Sequence, residues 1–200
     1  MSAAALLLSA GASTRMGTAK ALLDWGGRPL LQHQIDTLIA AGCDPVIVVL
    51  GHQADAIRSR VACGAPCRMV VNHRYAEGRA SSVRVGAAIL PEGRDAIVTA
   101  NVDGPCSVRT VRRLVEEMAR GRASITVPRY DEKNGHPVAF AGRLLPELQQ
   151  VDEVGQGLKA VRARHRQTTR FVETNDPLVG LDLDSPSEYH QALSLLEIQQ

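Results

Sequence analysis

Short apolar runs alternate along the chain with longer segments whose apolar residues recur every three or four positions. Residues 3–8 (AAALLL), 45–50 (PVIVVL), 68–71 (RMVV), 95–102 (DAIVTANV) and 123–127 (ASITV) are too short for helices and mostly apolar, as strands buried on both faces are. Between the first two, Leu30, Leu31, Ile35, Leu38 and Ile39 share one helical face, Pro29 suits the first turn, and Gly42 ends the segment. A second helix is expected over 53–61, a third capped by Ser81 or Ser82, and a fourth over 108–120 whose many Arg and Glu residues form a solvated face. Strand, helix, strand, helix, strand implies an α/β fold with a parallel sheet and right-handed crossovers. The pattern continues with a short strand at 138–140, a helix starting over 144–148, another opened by Gly155-Gln156-Gly157 and running to about residue 165, and a strand over 168–174. Ser185 caps the last helix, with Pro186 at its first position. There is no internal repeat, low-complexity segment or linker, so residues 1–200 read as a single domain.

The first strand stops at Ser9, and the next apolar run starts at Ala21. Between them Gly11, Ala12, Ser13 and Thr14 carry little side chain, so their backbone N–H groups can approach an anion closely. Arg15 adds a planar fork of donors and Lys20 a point charge, both suited to phosphate oxygens. A strand opening into such a loop is a polyphosphate site. It is not a Walker A loop, because Thr18 follows Gly17 where that motif has Lys, and it is not G-x-G-x-x-G, because position 13 is Ser.

Composition narrows the picture. With 44% hydrophobic but only 3% aromatic residues, the core must be Leu, Val, Ile and Ala. A formal charge of +2 is too near neutral to argue for a nucleic-acid surface. No apolar run reaches the roughly 18 residues of a membrane crossing. The amino terminus lacks the basic start of a signal peptide and leads straight into the phosphate loop, so a cytoplasmic protein is expected. Cys43, Cys63, Cys67 and Cys106 show no completed metal-ligand spacing and read as free thiols.

Three further places carry candidate chemistry. Asp103 ends the strand over 95–102, where open α/β sheets bind ligands, and a hard carboxylate beside a triphosphate implies Mg²⁺. Leu181-Asp182-Leu183-Asp184 alternates, which on a strand would point both acids to one side. His136 lies in a polar loop, fixed between Gly135 and Pro137.

Leu8, Ala10, Gly11, Ser13, Arg15, Met16, Gly17 and Lys20 together form L-x-A-G-x-S-x-R-M-G-x-x-K, which resembles the signature of the MobA-like nucleotidylyltransferases of molybdenum-cofactor maturation; Ser9 departs from it, where Ala or Gly is usual. The resemblance implies a Rossmann-like three-layer domain with a mostly parallel central sheet, which transfers a nucleotidyl group from a nucleoside triphosphate to a phosphate acceptor. It implies that Arg15 holds the β- and γ-phosphates, that Lys20 holds the α-phosphate, and that Asp103 with Asp182 (Asp184 the rival) binds Mg²⁺ or Mn²⁺. Ala10, Gly11, Ala12 and Ser13 would lie along the nucleotide. Asn72, Tyr75, Gly78 and Ser82 match a second element, N-x-x-(Y/W)-x-x-G-x-x-x-S, that contacts nucleotide and acceptor, with Ser81 beside it. Gly135-His136-Pro137-Val138 resembles the cytidylyltransferase branch, despite Asn134 before it; His136, Pro137 and Asn72 are the acceptor candidates. The expected donor is CTP and the expected acceptor molybdopterin, with a molybdoenzyme client or maturation chaperone as partner. The rivals are a GTP-dependent or sugar-phosphate transferase of the same fold and a non-catalytic cofactor-binding protein.

Overall fold

The computed structural model describes residues 1–12 and 18–198. Every residue of β1 (Ala3–Ser9) is buried, as a strand covered on both faces requires. It pairs in parallel with β2 (Cys43–Leu50) on one side and β4 (Ala96–Asn101) on the other, and β3 (Cys67–Val71) lies parallel beyond β2. The sheet continues through β5 (Ile125–Tyr130), β6 (Lys133–Asn134), β7 (Val138–Ala141) and β8 (Thr169–Glu173), in the order β3-β2-β1-β4-β7-β5-β6 with β8 also on β5. β7 runs antiparallel to both β4 and β5, and the two-residue β6 antiparallel to β5, so these two are reversed in an otherwise parallel array.

Helices cover both faces. α1 (Leu30–Ala40) and α4 (Val108–Ala119) pack Leu30, Leu38, Val111 and Leu114 into one apolar cluster with Leu7, Val48 and Val98. On the other face α3 (Arg79–Ala87), α5 (Leu145–Gln149) and α6 (Leu158–Arg164) pack Ala80, Val83, Leu148 and Val161 with Leu6, Leu8, Ile47 and Ile97. Consecutive residues of β1 therefore feed opposite clusters, which is the three-layer arrangement expected. Among the described residues the other α-helices are the short α2 (Ala54–Arg58) and the longer α7 (Pro186–Ile198).

α3 approaches the sheet closely because Gly86 has no side chain. A Cβ there would stand 2.1 Å from Leu6 Cδ1 and 2.7 Å from Val49 Cγ2. Gly86→Ala is expected to cost about 1–3 kcal/mol through overpacking, read as a lower denaturant midpoint at unchanged m-value. An unchanged midpoint would mean that α3 and the sheet part freely.

Several expectations need correction. The cap of α3 is Gly78, whose φ of 105° suits glycine; Ser81 and Ser82 lie inside the first turn. Residues 181–184 form no strand, so the alternation of Leu and Asp does not put both acids on one strand face. Cys63 and Cys67 are joined in a disulfide, while Cys43 and Cys106 are free and buried. Among the described residues no helix is long and apolar enough to cross a membrane.

Candidate functional site

β1 and β4 are neighbours, with Leu8 opposite Asn101, and a crevice of about 290 Å³ opens beyond their carboxyl ends. Ala10 and Gly11 line it after β1, Asn101, Val102 and Asp103 after β4, and Gly78, Arg79 and Ser82 at the start of α3. Tyr75 and Lys20 complete the wall. The floor is tight. A Cβ on Gly51, just after β2, would lie 2.6 Å from the Ala10 carbonyl oxygen, which accepts the His52 N–H at 3.2 Å.

Lys20 is the electrostatic centre of the crevice. Its Nζ donates to Asp184 Oδ1 at 2.6 Å and to Asp103 Oδ2 at 3.2 Å, and its side chain is 11% exposed. Burial works against the ammonium charge, but the two carboxylates more than offset it and lift Lys20 above its ordinary value. The Leu183 N–H donates to the Asp103 carbonyl at 2.8 Å, which ties the 181–184 segment to the end of β4.

Asp182 joins this group from the same segment. Burial, reinforced by the charges of Asp103 and Asp184, raises it above the usual carboxylate range, against the pull of His136 and Lys20. His136 is held by its backbone N–H on the Val179 carbonyl at 3.0 Å. Burial and nearby Arg79 push its imidazole down, so it favours the neutral form.

The structure thus brings Ala10, Gly11, Lys20, Gly78, Ser82 and Asp103 to one crevice, with Asp182, Asp184 and His136 beside it. Ala12 is exposed next to it, and Pro137 is buried behind His136. Asn72 and Ser81 do not line the crevice. Asn72 is buried, and its amide donates to Ser81 Oγ at 2.8 Å and Ser82 Oγ at 2.9 Å, so it fixes the first turn of α3. Ser13 and Arg15 lie outside the described residues.

Arg79 is the functional candidate that the sequence did not reveal. Its Nη2 donates to Asn101 Oδ1 at 2.8 Å, and Asp103, Asp182 and Glu153 all act on its charge. Locally Gly78-Arg79-Ala80 reads as an ordinary helix start; only the pairing of β1 with β4 places Asn101 and Asp103 opposite it.

Among the described residues no group of three or more His, Cys, Asp or Glu is arranged to hold a metal by itself. Mg²⁺ does not require one, since it is held by one or two carboxylates together with substrate phosphates and water. Asp103 and Asp182 supply hard oxygens, and the burial and neighbouring acids that raise Asp182 are what a cation would offset, so the donor set fits a hard divalent ion.

A model of the MobA-like NTP transferase domain matches residues 5–169. The chain is 32% identical over 196 residues to nicotine blue oxidoreductase of Paenarthrobacter nicotinovorans, spanning 94% of this chain and 95% of that one. The crystal structure of Rv0371c from Mycobacterium tuberculosis H37Rv is similar with a TM-score of 0.83 at 28% identity, over 97% of this chain and 98% of that chain. The same protein in complex with manganese is similar with a TM-score of 0.78 at 28% identity, over 97% and 99% of the two chains. A nucleotidyl transferase from Methanothermobacter thermautotroptrophicus shares the fold, with a TM-score of 0.81 at 22% identity over 100% of this chain and 99% of that one.

Proposed function

The chain belongs to the MobA-like NTP transferase family, and we propose that it transfers CMP from CTP to the phosphate of a molybdopterin-type acceptor, releasing pyrophosphate. One observation carries this reading: the half-buried Lys20 ammonium, held between Asp103 and Asp184 at the carboxyl ends of β1 and β4. A lysine placed to meet phosphate charge, with acids beside it, is what transfer at a phosphate uses.

In the proposed reaction an acceptor phosphate oxygen bonds to the α-phosphorus as the bond to the β-phosphate oxygen breaks, and the electron pair leaves with pyrophosphate. Lys20 faces the α-phosphate and offsets the charge that builds there. Arg15 takes the β- and γ-phosphates, and the Gly11 side of the crevice takes sugar and base. Asp103 and Asp182 would hold Mg²⁺ or Mn²⁺, which when bound neutralises phosphate charge. The manganese complex of the mycobacterial relative supports a divalent ion in this family.

The donor base is the finer part of the proposal. Ala10 is 7% exposed and lines the crevice, so its methyl narrows the space that a larger purine ring needs. CTP is expected to exceed GTP by at least about tenfold in kcat/KM, and Ala10→Gly to narrow that gap, since one methyl discriminates roughly 10–200-fold. Steady-state rates with both nucleotides and molybdopterin check this. Equal rates, or a preference for GTP, would reject the cytidylyl donor and leave nucleotidyl transfer standing.

A second reading rests on the identity to a protein named as an oxidoreductase. The crevice would then hold the nucleotide part of a redox cofactor. Two assays separate the readings: pyrophosphate release from each of the four NTPs with Mg²⁺ and molybdopterin, and oxidation of NADH or NADPH with a quinone as electron acceptor. Pyridine-nucleotide oxidation without pyrophosphate release would overturn nucleotidyl transfer.

A further inference from the structure

A second groove lies outside the crevice, along α6 and the adjoining β8. It encloses about 440 Å³ and is lined by Lys159, Arg162, Ala163, Arg166, Thr169 and Phe171. Three of those six residues are cations and none is an acid. Among the described residues none of Lys159, Arg162 and Arg166 is in an ion pair, although Arg164 on the same helix is paired with Glu147 at 2.8 Å. Like charges gathered without a counter-charge repel one another, and an anionic ligand removes that cost. Phe171 is 47% exposed in a chain with few aromatics, and the Arg129 guanidinium stands 4.2 Å from its ring centroid. Arg129 is itself paired with Glu173 at 3.7 Å, so the positive charge that the groove offers beside Phe171 is that of Lys159, Arg162 and Arg166.

The groove and the crevice are separate cavities, with a third between them that shares a lining residue with each. Arg79 lines the crevice and also a cavity of about 280 Å³ between α3 and residues 153–159; Lys159 lines that cavity and also the groove. Arg162 leads back to the acids as well, since its charge acts on His136, beside Asp182 and Asp103. Arg79, Lys159 and Arg162 thus stand between the crevice and Phe171, with the acid Glu153 also lining the intermediate cavity.

We propose that this groove binds the acceptor: a planar heterocycle carrying a phosphate ester, its ring against Phe171, its outer negative groups on Lys159 and Arg166, and its phosphate toward Arg79 and His136. The proposal rests on the transferase reading for the direction in which the phosphate points. In-line attack then requires the acceptor phosphate to reach the α-phosphorus on the side opposite pyrophosphate.

The test uses the full chain, the variants Phe171→Ala and Lys159→Gln/Arg166→Gln, and two fluorescent probes, molybdopterin and flavin mononucleotide, titrated without nucleotide. Stabilisation by CTP and Mg²⁺, followed by thermal melting, reports the crevice separately. The expected result is at least roughly tenfold weaker binding of molybdopterin to either variant, with CTP stabilisation unchanged. If flavin mononucleotide alone binds and the variants weaken it, the groove stands and molybdopterin falls as the acceptor. If either probe binds the variants as tightly as the unaltered chain, or neither binds the unaltered chain, the groove proposal is overturned while the transferase reading is judged by pyrophosphate release.

Discussion

Lys20→Ala is expected to lower turnover by about 10²-fold or more, a loss of roughly 3–4 kcal/mol of transition-state stabilisation. The charge is preorganised: Asp184 and Asp103 hold the ammonium in place, and the side chain is only 11% exposed, so little solvent must move when negative charge builds on phosphate. The fold should survive, because Lys20 sits in a one-turn 3-10 segment, Lys20–Leu22, anchored through buried Ala21. Loss of activity with an unchanged melting temperature is the expected signature. Near-normal turnover in the purified variant would remove Lys20 from the reaction, and Lys20→Arg separates charge from shape because a guanidinium fork does not replace an ammonium between two carboxylates.

Asp103→Asn should abolish most Mg²⁺-dependent activity, and Asp182→Asn should weaken it. The two acids differ in burden. Asp103 also accepts from Lys20 at 3.2 Å, so its replacement would weaken the proposed metal oxygen and one of the holds on Lys20 together, Asp184 still accepting at 2.6 Å. Asp182 is raised by burial and by its acidic neighbours, a cost that a bound cation would offset. The readout is rate against Mg²⁺ concentration: a higher Mg²⁺ requirement in Asp182→Asn, and a low rate at any Mg²⁺ in Asp103→Asn. A silent Asp182→Asn with a dead Asp184→Asn would transfer the metal role to Asp184, whose Oδ1 already lies 2.6 Å from Lys20.

The strand and helix alternation was legible because parallel strands buried on both faces are written as unbroken apolar runs, and β1, β2 and β4 are such runs. The reversal of β7 was not, because four apolar residues, Val138–Ala141, carry no direction; only the pairings of Thr99 with Val138 and Thr126 with Ala139 fix it. Lys20 and Asp103 were readable because each follows an apolar strand and meets the other through the pairing of β1 with β4. Arg79 was hidden, since its partner Asn101 is 22 residues away and nothing local marks it. Asn72 was read toward the ligand, yet its amide turns inward onto two serines of α3, a choice set by burial that no spacing records.

The tie between Leu183 and Asp103 has a consequence for biosynthesis. The sheet, the crevice floor and Arg79 all come from residues before 174, whereas Asp182 and Asp184 arrive 79 and 81 positions after Asp103 in the order of translation. A ribosome delivers the amino-terminal part first, and contacts between distant residues close last. A nascent chain ending at residue 180 would already present the shelf for a nucleotide while Lys20 still lacked Asp184. Residues 181–198 therefore close the site last, and they also complete the apolar core with Leu183 and Ala192, so a chain interrupted at residue 180 lacks both acids and part of that core.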